Sequence, residues 1–518
     1  MGAESSKTGG IAIIDFGSQV TQLIARRVRE AEVYSEIFPP TVSAERIAAL
    51  KPRGVILSGG PASVYQPGAP SLPEFLKSVP YPMLGICYGM QLLAHEFGGR
   101  VARGSGGGEY GPAFIRVRGK SALFAGMPAK QKVWMSHGDS VQRLPPGYRI
   151  TASTPTCHAA AMEHASGRLH AVQFHPEVVH TEHGARMIRN FVYRVCGCTR
   201  TWNMGAFARE AVAGIREKVA GERVLVAISG GVDSSVTAVL VARAVGKKLI
   251  GLFVDNGLLR KNEGDEVIGF LKGRMGAAVR LVDARERFLR RLAGVTDPEE
   301  KRRRIGREFI KVFTDTVRPM GNVRYLAQGT LYPDVIESTS TRGPSATIKT
   351  HHNVGGLPKR MSFTLIEPLR ELFKDEVRAL GAELGLPRDL LWRHPFPGPG
   401  LAVRVLGEVN EDRLRVLREA DAVFIDELRR SGWYDRVWQA FVVLLPVRSV
   451  GVMGDERTYA NAAAVRAVES RDGMTADWAR LPPDLLARVS SRIINTVKGI
   501  NRVVYDISSK PPSTIEWE

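Results

Sequence analysis

The feature that most constrains this chain is a strand, a tight turn, a helix and a second strand in immediate succession. The pattern predicts strands at Val224–Ile228 and Leu249–Val254, a turn at Ser229–Gly231 and a helix at Val236–Val245. A helix that connects two such strands places them parallel and side by side in one sheet. The sequence therefore predicts a parallel sheet of the kind that binds nucleotides at its strand ends.

The turn of this unit has the composition of a phosphate-binding loop. Glycines let the backbone approach an anion, successive N–H groups and the helix N-terminus bind it, and hydroxyls add donors. No lysine follows the glycines, so the loop is not of the kinase or GTPase type. Asp233 can lie near a Mg²⁺ that accompanies the phosphates. The alternative is a simple glycine-rich turn. The candidate phosphate ligands, which the resemblance described below assigns to ATP, are Ser229, Gly230, Gly231, Val232, Asp233, Ser234 and Ser235.

The first 200 residues repeat the alternation of strands and helices. Short apolar strands are predicted at Ile11–Ile14, Gly54–Leu57 and Met83–Ile86, with helical patterns after the first and third. Alternating strands and helices indicate a second parallel sheet. Eight of the 11 histidines lie in this segment, which supports a boundary near residue 200.

A cysteine follows the third of these strands in the pattern G-x-C-x-G. Gly85 and Gly89 would relieve the crowding of a sharp strand-to-helix turn that carries Cys87. The helix dipole would favour the thiolate, and the backbone N–H of Tyr88 could help to bind an oxyanion. The alternative is a structural cysteine at a core turn.

Two further segments favour a catalytic cysteine. His175 and Glu177 follow an apolar strand, and residues two apart in an extended chain share a face. Glu177 could then orient His175, which would act as the base for Cys87. The turn at Ser58–Pro61, with Gly59, offers a second backbone N–H to an oxyanion. Cys, His and Glu at ordered strand ends predict an acyl-transfer site.

Composition restricts the class of protein further. The chain has 72 Lys and Arg against 53 Asp and Glu, a net charge of +19 that is spread along it. The one compact basic run, Lys301–Arg304, is interpreted as a solvated helix face or as a phosphate-binding patch. The longest apolar stretch, Ala440–Val447, is far shorter than the roughly 20 residues of a membrane span. Four cysteines in 518 residues are too few for a disulfide scaffold and favour a reducing, cytoplasmic compartment.

These motifs resemble known families. Gly85–Gly89 with His175-Pro176-Glu177 resembles the class I glutamine amidotransferases, and Ser229–Ser235 resembles the loop of the N-type ATP pyrophosphatases. In this order, and followed by the last third of the chain, they resemble the glutamine-hydrolysing GMP synthase family. The further matching stretches are Phe253–Arg260, Gln328–Ser338, Lys349–Pro358, His394–Gly400, Val447–Asp455 and Lys510–Glu518.

The resemblance implies a ligase that hydrolyses glutamine, adenylates XMP with ATP and Mg²⁺, and aminates it to GMP. It implies glutamine, ATP and XMP as substrates and a homodimer formed through the C-terminal domain, with neither a membrane nor nucleic acid as partner. Lys349 would close over the phosphates as a lid, and Asp233 would contact the metal. The other implied ligands are Gly59, Tyr88 and Gln91 for glutamine and its oxyanion, and Arg302, Lys510 and Glu516 for XMP.

The implied fold class is α/β in three domains. A flexible leader at residues 1–9 precedes a class I amidotransferase domain at residues 10–200. A parallel-sheet ATP pyrophosphatase domain of the adenine-nucleotide α-hydrolase type follows at residues 201–395. A smaller α+β dimerisation domain at residues 396–518 ends the sequence.

Three alternatives remain at this point. A tRNA-modifying enzyme could use the same ATP loop, but it would not need a glutaminase domain. An asparagine, NAD or CTP synthetase would carry a different glutaminase type or a different ATP loop. A basic binding protein without catalytic activity would show salt-sensitive affinity for DNA and no glutaminase activity.

Overall fold

The structure is a computed structural model, and it describes most of the chain. The described residues are 6–78, 81–104, 108–275, 279–321, 323–339, 363–453, 456–470 and 475–518. They form two compact units, Met1–Glu210 and Ala211–Glu518, and the boundary falls within a helix. The predicted domain limits stay predictions. In the predicted leader, the Ser6 N–H donates to Oε1 of Glu210 at 2.7 Å, whereas residues 1–5 lie outside the described ranges.

The first unit contains β1–β11 and α1–α5. Its strands are β1 (Ile11–Ile14), β2 (Ser35–Phe38), β3 (Gly54–Leu57), β4 (Met83–Ile86), β5 (Arg100–Arg103), β6 (Glu109–Val117), β7 (Lys130–His137), β8 (Asp139–Arg143), β9 (Tyr148–Ser153), β10 (Ala161–His164) and β11 (Leu169–Val172). Its helices are α1 (Thr21–Glu30), α2 (Ala44–Leu50), α3 (Phe75–Ser78), α4 (Tyr88–Glu96) and α5 (Gly184–Asn190), which continues into a π-helical turn at Phe191–Val195. Helix α6 (Met204–Val219) crosses the unit boundary.

One nine-stranded sheet organises this unit, in the order β2-β1-β3-β4-β11-β10-β9-β6-β7. The first five strands of this order, β2-β1-β3-β4-β11, pair in parallel. From β11 onward, through β10, β9, β6 and β7, each strand pairs antiparallel with the next. Strands β1, β3 and β4 are apolar and buried at every position, as expected for parallel strands covered on both faces. Parallel pairing brings the carboxyl ends of β3, β4 and β11 to one edge of the sheet.

The second unit begins with a parallel sheet. Its elements are β12 (Val224–Ile228), α7 (Val232–Val245), β13 (Leu249–Asp255), α8 (Glu263–Met275), β14 (Val279–Asp283), α9 (Arg285–Leu292), α10 (Pro298–Val317), β15 (Tyr325–Ala327), α11 (Tyr332–Thr339), β16 (Thr364–Ile366), α12 (Lys374–Glu383) and α13 (Arg388–Leu391). The strand order is β14-β13-β12-β15-β16, and every pair is parallel. The order reverses between β12 and β15, so a crevice for ligands is expected at the carboxyl end of β12.

A mixed sheet follows. Its elements are α14 (Glu411–Arg430), β17 (Gln439–Met453), β18 (Glu456–Glu469), β19 (Asp477–Trp478), α15 (Pro483–Thr496) and β20 (Ile500–Tyr505). Strands β17 and β18 form a long antiparallel hairpin, and β20 pairs with β18 in parallel. The longest apolar stretch of the sequence, Ala440–Val447, lies within β17. Short 3₁₀ helices occupy Gly246–Lys248, Arg318–Met320, Gly400–Arg404 and Tyr434–Arg436.

A continuous hydrophobic core joins this mixed sheet to the parallel sheet before it. Phe288 of α9, Phe424 of α14 and Val442 of β17 are fully buried in one cluster. The predicted α/β class is confirmed, as is the parallel sheet of the second unit. The prediction of a parallel sheet in the first unit is only half right, because β10, β9, β6 and β7 add antiparallel strands to it. Within the described ranges, no helix is both long enough and apolar enough to cross a membrane.

Candidate active sites

Cys87 lies at a strained turn between β4 and α4. Its φ is +51° and its ψ is −103°, a conformation that non-glycine residues rarely adopt. Hydrogen bonds hold it there, because its N–H donates to the Val172 carbonyl at 2.8 Å and its carbonyl accepts from the Gln91 N–H at 3.1 Å. Strain that the surrounding structure maintains is typical of functional sites. The predicted elbow is therefore present, with the thiol at the start of a helix.

The two glycines of the elbow are required by close packing. A Cβ at Gly85 would lie 2.6 Å from the carbonyl carbon of Gly89. A Cβ at Gly89 would lie 2.4 Å from the carbonyl oxygen of Leu57 in β3. Any side chain at either position would push β3, β4 and α4 apart, so the G-x-C-x-G spacing follows from the packing of these elements.

His175 contacts both Glu177 and Cys87. Nδ1 of His175 lies 2.7 Å from Oε1 of Glu177, and the imidazole is in hydrogen-bonding contact with Cys87. The Glu177 carboxylate is fully buried. Burial alone would lower the pKa of His175, but the charge of Glu177 and the hydrogen bonds to Cys87 and Glu177 outweigh burial and raise that pKa to about 10. The arrangement suits a base that must hold a proton taken from the thiol.

The predicted glutamine-binding residues occupy two different environments. At Gly59 a Cβ would lie 3.2 Å from Cε1 of His175, so this backbone lies directly against the imidazole. Tyr88 begins α4, its hydroxyl donates to the Pro70 carbonyl at 2.6 Å, and burial raises its pKa to about 12. The Gln91 side chain is buried and donates to the Asp139 carbonyl at 2.9 Å. Gly59 and the Tyr88 backbone thus adjoin the triad. The Gln91 amide instead donates to the carbonyl of Asp139, the first residue of β8.

Thr181 is a residue of this site that the sequence analysis missed. Its Oγ1 donates to the His175 carbonyl at 2.6 Å and accepts the Trp134 N–H at 3.1 Å. It therefore ties the segment that carries His175 to β7. The Ser136 carbonyl of β7 in turn lies 3.6 Å from Sγ of Cys87. A threonine six residues after the histidine belongs to no pattern that sequence reasoning could use.

The phosphate loop lies between β12 and α7 at the crevice of the second unit. Gly230 has a φ of +81°, and extended Gly231 begins the helix, which starts at Val232 rather than at the predicted Val236. The prediction was late because apolar periodicity begins only at Val236, whereas Val232, Asp233, Ser234 and Ser235 form the first turn. Oγ of Ser229 lies 3.1 Å from Oγ of Ser234, which also donates to the Gly231 carbonyl at 3.0 Å. Ser229 and Gly231 of the loop are exposed, whereas Val232 and Ser235 are buried.

Lys374 is the second residue that the sequence analysis missed. It begins α12, where the Glu376 carboxylate accepts the Phe373 N–H at 2.8 Å and fixes the start of the helix. Its Nζ lies 2.6 Å from both carboxylate oxygens of Asp233. A positive charge therefore stands at the loop although no lysine follows its glycines in sequence. The two residues are 141 positions apart, so no local pattern could connect them.

The basic run on α10 combines a buried lysine with exposed arginines. Lys301 is fully buried, and its Nζ donates to the carbonyls of Ala402 at 3.2 Å and Val405 at 2.7 Å and to the Glu518 carboxylate. Burial lowers the pKa of Lys301, and Glu518 opposes that effect. The prediction of a solvated face is therefore wrong for Lys301, because the C-terminal segment covers it. Arg303 and Arg304 keep to the surface and pair with Glu300.

The three candidate XMP ligands lie in or against the C-terminal segment. Nη2 of Arg302 donates to the Glu518 carbonyl at 2.5 Å. Glu516 accepts Nη2 of Arg404 at 2.8 Å and Nε2 of Gln439 at 2.6 Å. The backbone of Lys510 pairs with Ala476. Lys349, the predicted lid residue, lies outside the described residues.

Buried arginine side chains anchor this segment. Arg466 of β18 is fully buried and donates to the carbonyls of Ser508 at 3.1 Å, Thr514 at 3.0 Å and Ile515 at 2.8 Å. It also pairs with Asp506 at 2.7 Å. Residues 506–518 therefore form a fixed part of the second unit. An open cleft of about 660 Å³ beside it is lined by Glu516 and its neighbours, and neither Arg302 nor Lys510 contributes to the lining.

Family comparisons agree with both sites. Residues 12–195 match the family described as glutamine amidotransferase class-I, and residues 426–517 match the GMP synthase C terminal domain. Residues 222–267, which include the phosphate loop, match the tRNA methyl transferase HUP domain. That last match covers one βαβ unit and does not extend to the rest of the chain.

Curated relatives match the chain from end to end. A protein of Nitratidesulfovibrio vulgaris strain DP4 is 58% identical over 98% of this chain and 99% of its own length. A protein of Campylobacter fetus subsp. fetus is 57% identical over 99% of this chain and 100% of its own length. One of Carboxydothermus hydrogenoformans is 56% identical over 98% of this chain and 99% of its own length. All three are named GMP synthase [glutamine-hydrolyzing].

Proposed function

The chain belongs to the glutamine-hydrolysing GMP synthase family, a ligase family with glutamine as amide donor, and from that premise we propose how its residues divide the reaction. The first unit hydrolyses glutamine to glutamate and ammonia. The second uses ATP to adenylate XMP and lets ammonia displace AMP to give GMP and pyrophosphate. The single observation that carries the proposal is that a Cys–His–Glu triad and an ATP-type phosphate loop occur on separate sheets of one chain.

Glutamine hydrolysis is assigned to Cys87, His175 and Glu177. Cys87 loses its proton to His175 and attacks the side-chain amide carbon, and the oxyanion accepts hydrogen bonds from the backbone N–H groups of Tyr88 and Gly59. His175 gives the proton to the departing nitrogen, so ammonia leaves and a thioester remains. Water then releases glutamate from Cys87. The buried Glu177 carboxylate stabilises the imidazolium in both steps.

Adenylation is assigned to the loop Ser229–Ser235. Its N–H groups and the α7 N-terminus would hold the phosphates that leave as pyrophosphate. Lys374, held beside the loop by its ion pair with Asp233, is proposed as a further phosphate ligand. The C2 carbonyl carbon of XMP is a poor electrophile, and adenylation of its oxygen turns that oxygen into a leaving group that departs with AMP. Exclusion of water keeps ammonia unprotonated and nucleophilic.

The site also fits the Mg²⁺ that ATP carries. Carboxylate oxygen is the ligand that Mg²⁺ prefers, and it needs only one or two protein carboxylates beside the phosphates. Asp233 lies at the loop with 29% of its side chain exposed, and it would supply such a ligand. Its carboxylate would then contact both the ion and Lys374. When bound, the ion neutralises charge that develops on the phosphates.

Arg302, Lys510 and Glu516 are proposed as XMP ligands. The support is that the segment carrying Lys510 and Glu516 is fixed by Arg404, Gln439 and Arg466 rather than free. Two cations suit a nucleotide phosphate, and a carboxylate suits N–H groups of a base. Lys349 remains the proposed lid.

A homodimer through the C-terminal sheet is part of the proposal. On the β17–β18 hairpin, Val450 and Val452 are two apart and share a face, with 45% and 75% exposure. Tyr459, the cross-strand partner of Val450, is 59% exposed. Apolar side chains grouped in this way favour an interface. We also propose a cytoplasmic location, with neither membrane nor nucleic acid as partner. A single species of monomer mass in sedimentation would contradict the dimer.

One assay tests the whole assignment. XMP, ATP and Mg²⁺ are supplied first with glutamine and then with ammonium chloride, and the nucleotides are separated by chromatography. GMP, AMP and pyrophosphate are expected with both nitrogen sources, and glutamate with glutamine only. Amination of a different nucleotide, or no amination with either source, would contradict the proposal.

Lys374→Met tests the residue that only the structure revealed. We expect roughly 10- to 100-fold slower synthesis with either nitrogen source, because an oriented phosphate ligand is lost. Glutaminase activity should stay unchanged. The matched control is Lys261→Met, which removes an exposed ion pair with Glu419 (2.7 Å). Equal synthesis by the two variants would remove Lys374 from the proposed site.

A further inference from the structure

A second group of chemically reactive side chains lies beside the triad without belonging to it. Glu109 begins β6 and His137 ends β7, and the two residues are direct cross-strand partners, so their side chains share a face. Cys157 comes from the turn after β9. Oγ1 of Thr154 accepts the Cys157 N–H at 2.8 Å, and the Thr154 N–H donates to the Cys157 carbonyl at 2.9 Å. Strand register and one short turn thus bring together a carboxylate, an imidazole and a thiol.

The ligand atoms of these three residues converge. One atom from each residue lies within 4.8 Å of the other two. Nε2 of His137 is 3.7 Å from Oε2 of Glu109. Nδ1 of His137 lies 2.9 Å from the Asp139 carbonyl, which can only accept, so Nδ1 carries the hydrogen and Nε2 presents its lone pair to the cluster.

His137 is the residue of this group whose buried ring nitrogen most needs a further partner. Its side chain is 96% buried, with 4% exposed, yet Nε2 has no hydrogen-bond partner among the described residues. A buried nitrogen lone pair aimed at a carboxylate and a thiol costs free energy unless something binds it.

We propose that Glu109, His137 and Cys157 bind one thiophilic divalent cation, for which Zn²⁺ is the best match. Oxygen, nitrogen and sulfur together suit Zn²⁺, whereas Mg²⁺ and Ca²⁺ take oxygen ligands. Three protein ligands leave one position of a tetrahedral ion for water. The Cys157 thiol releases its proton to solvent as the zinc–sulfur bond forms. The Asp139 carbonyl fixes the imidazole through Nδ1, as carbonyl groups do at other zinc-binding histidines.

The position of this site gives it a connection to the nucleophile. His137 directly follows Ser136, whose carbonyl lies 3.6 Å from Sγ of Cys87. An ion at the end of β7 would therefore fix the strand end that contacts the catalytic thiol. The Glu109 side chain is 18% exposed, so the ion has a path from solvent.

The test must separate this site from the triad, since Cys87, His175 and Glu177 offer the same ligand types. Full-length Cys87→Ala protein is therefore the parent, and ZnCl₂ is titrated in competition with a chromophoric chelator. One zinc ion per chain is expected, confirmed by elemental analysis after dialysis. Cys157→Ser and His137→Gln in this parent should each weaken binding at least about tenfold. Cys198→Ser, which alters another buried cysteine, should leave it unchanged.

Cobalt provides an independent readout. Co²⁺ bound to the parent should show a thiolate charge-transfer band that Cys157→Ser removes. Thermal unfolding of each variant without metal identifies any that do not fold. If Cys157→Ser fails this check, Glu109→Gln replaces it, since the amide keeps the size of the side chain.

The proposal would be overturned if three proteins bound zinc with equal affinity: the parent, His137→Gln, and whichever of Cys157→Ser or Glu109→Gln is used. A parent that binds no zinc at micromolar concentration would also overturn it. Neither result bears on GMP synthesis, because the parent lacks the nucleophile and binding is measured without substrates.

Discussion

The two sites of this protein hold their reactive groups in opposite ways. In the first unit the His175 and Glu177 side chains are 10% and 0% exposed, and backbone hydrogen bonds keep Cys87 in a strained conformation. In the second unit Asp233 and Lys374 are 29% and 42% exposed, and hydroxyl groups of the loop bond to one another. A thiol must meet its base at fixed distance before substrate arrives, whereas a phosphate loop presents backbone N–H groups to an anion that completes it. The difference teaches that the charged groups of the candidate triad are enclosed by protein, whereas those beside the candidate phosphate loop remain open to solvent and to a ligand.

Cys87→Ala should separate the two regions most strongly. Loss of the nucleophile is expected to lower glutamine-dependent synthesis by a factor of at least ~1,000 and to leave ammonia-dependent synthesis within about twofold. GMP formation is measured with each nitrogen source. Cys196→Ala, at a buried cysteine elsewhere in the same unit, is the control and should keep both activities. Equal loss with glutamine and ammonia would show that the regions are not separable in this way.

Asp233→Asn should affect the second region alone. We expect about 100-fold slower synthesis with both nitrogen sources, because the carboxylate that holds Lys374, and that we propose as a metal ligand, is lost. XMP-dependent ATP–pyrophosphate exchange reports adenylation directly, and glutaminase activity is the internal control. Unchanged exchange would exclude the loop from adenylation.

Glu177→Gln should alter both activity and pH dependence in the first region. We expect roughly 10- to 100-fold lower glutaminase activity, because the imidazolium loses its counter-charge. Glu177 helps to raise the pKa of His175 to about 10, above its unfolded value. Protonated His175 therefore stabilises the wild-type fold fully below about pH 6.5, and this contribution declines as the pH rises through 10.

The difference in thermal unfolding midpoint between wild type and Glu177→Gln measures that contribution. It should be largest at neutral to mildly acidic pH and should shrink toward pH 10. Glu182→Gln, a carboxylate outside the triad, is the control. A constant difference across this range would show that Glu177 does not act through the His175 charge.

Of the four substitutions predicted in this comparison, Lys510→Ala should give the smallest effect. We expect about a tenfold higher KM for XMP, since one partly exposed cation contributes modestly to nucleotide binding. The KM for glutamine should not change, because Cys87 and its partners lie in the other unit. Lys498→Ala, at another lysine of the same C-terminal sheet region, is the control. An unchanged KM for XMP would remove Lys510 from the proposed site.

Local motifs could be predicted from the sequence, and long-range partners could not. Gly85–Gly89 and Ser229–Ser235 each contain within a few residues the chemistry and the glycines that their turns need. Lys374 and Thr181 act through contacts that depend on how helices and strands pack. The helix after the phosphate loop was predicted to start late because its first turn is polar. The helix begins directly after the extended Gly231, before its apolar periodicity starts.

Burial of charge was the other feature that could not be predicted from the sequence. A run of four basic residues is typical of a solvated helix face, and Arg303 and Arg304 behave in that way. Lys301 does not, because Glu518 and two carbonyl groups replace water around its ammonium group. Such compensation depends on a chain segment 217 residues away and leaves no local pattern.

The anchoring of residues 506–518 has a consequence for synthesis on the ribosome. Lys301, Arg404 and Arg466 are buried charges whose partners lie in this segment, and a buried charge without its partner is strongly destabilising. The second unit therefore cannot reach its final packing until its last dozen residues have left the exit tunnel. The first unit is compact within Met1–Glu210, so it can pack while the rest is translated. A nascent chain stalled before Asp506 would carry a folded first unit beside a second unit that is still vulnerable to proteases.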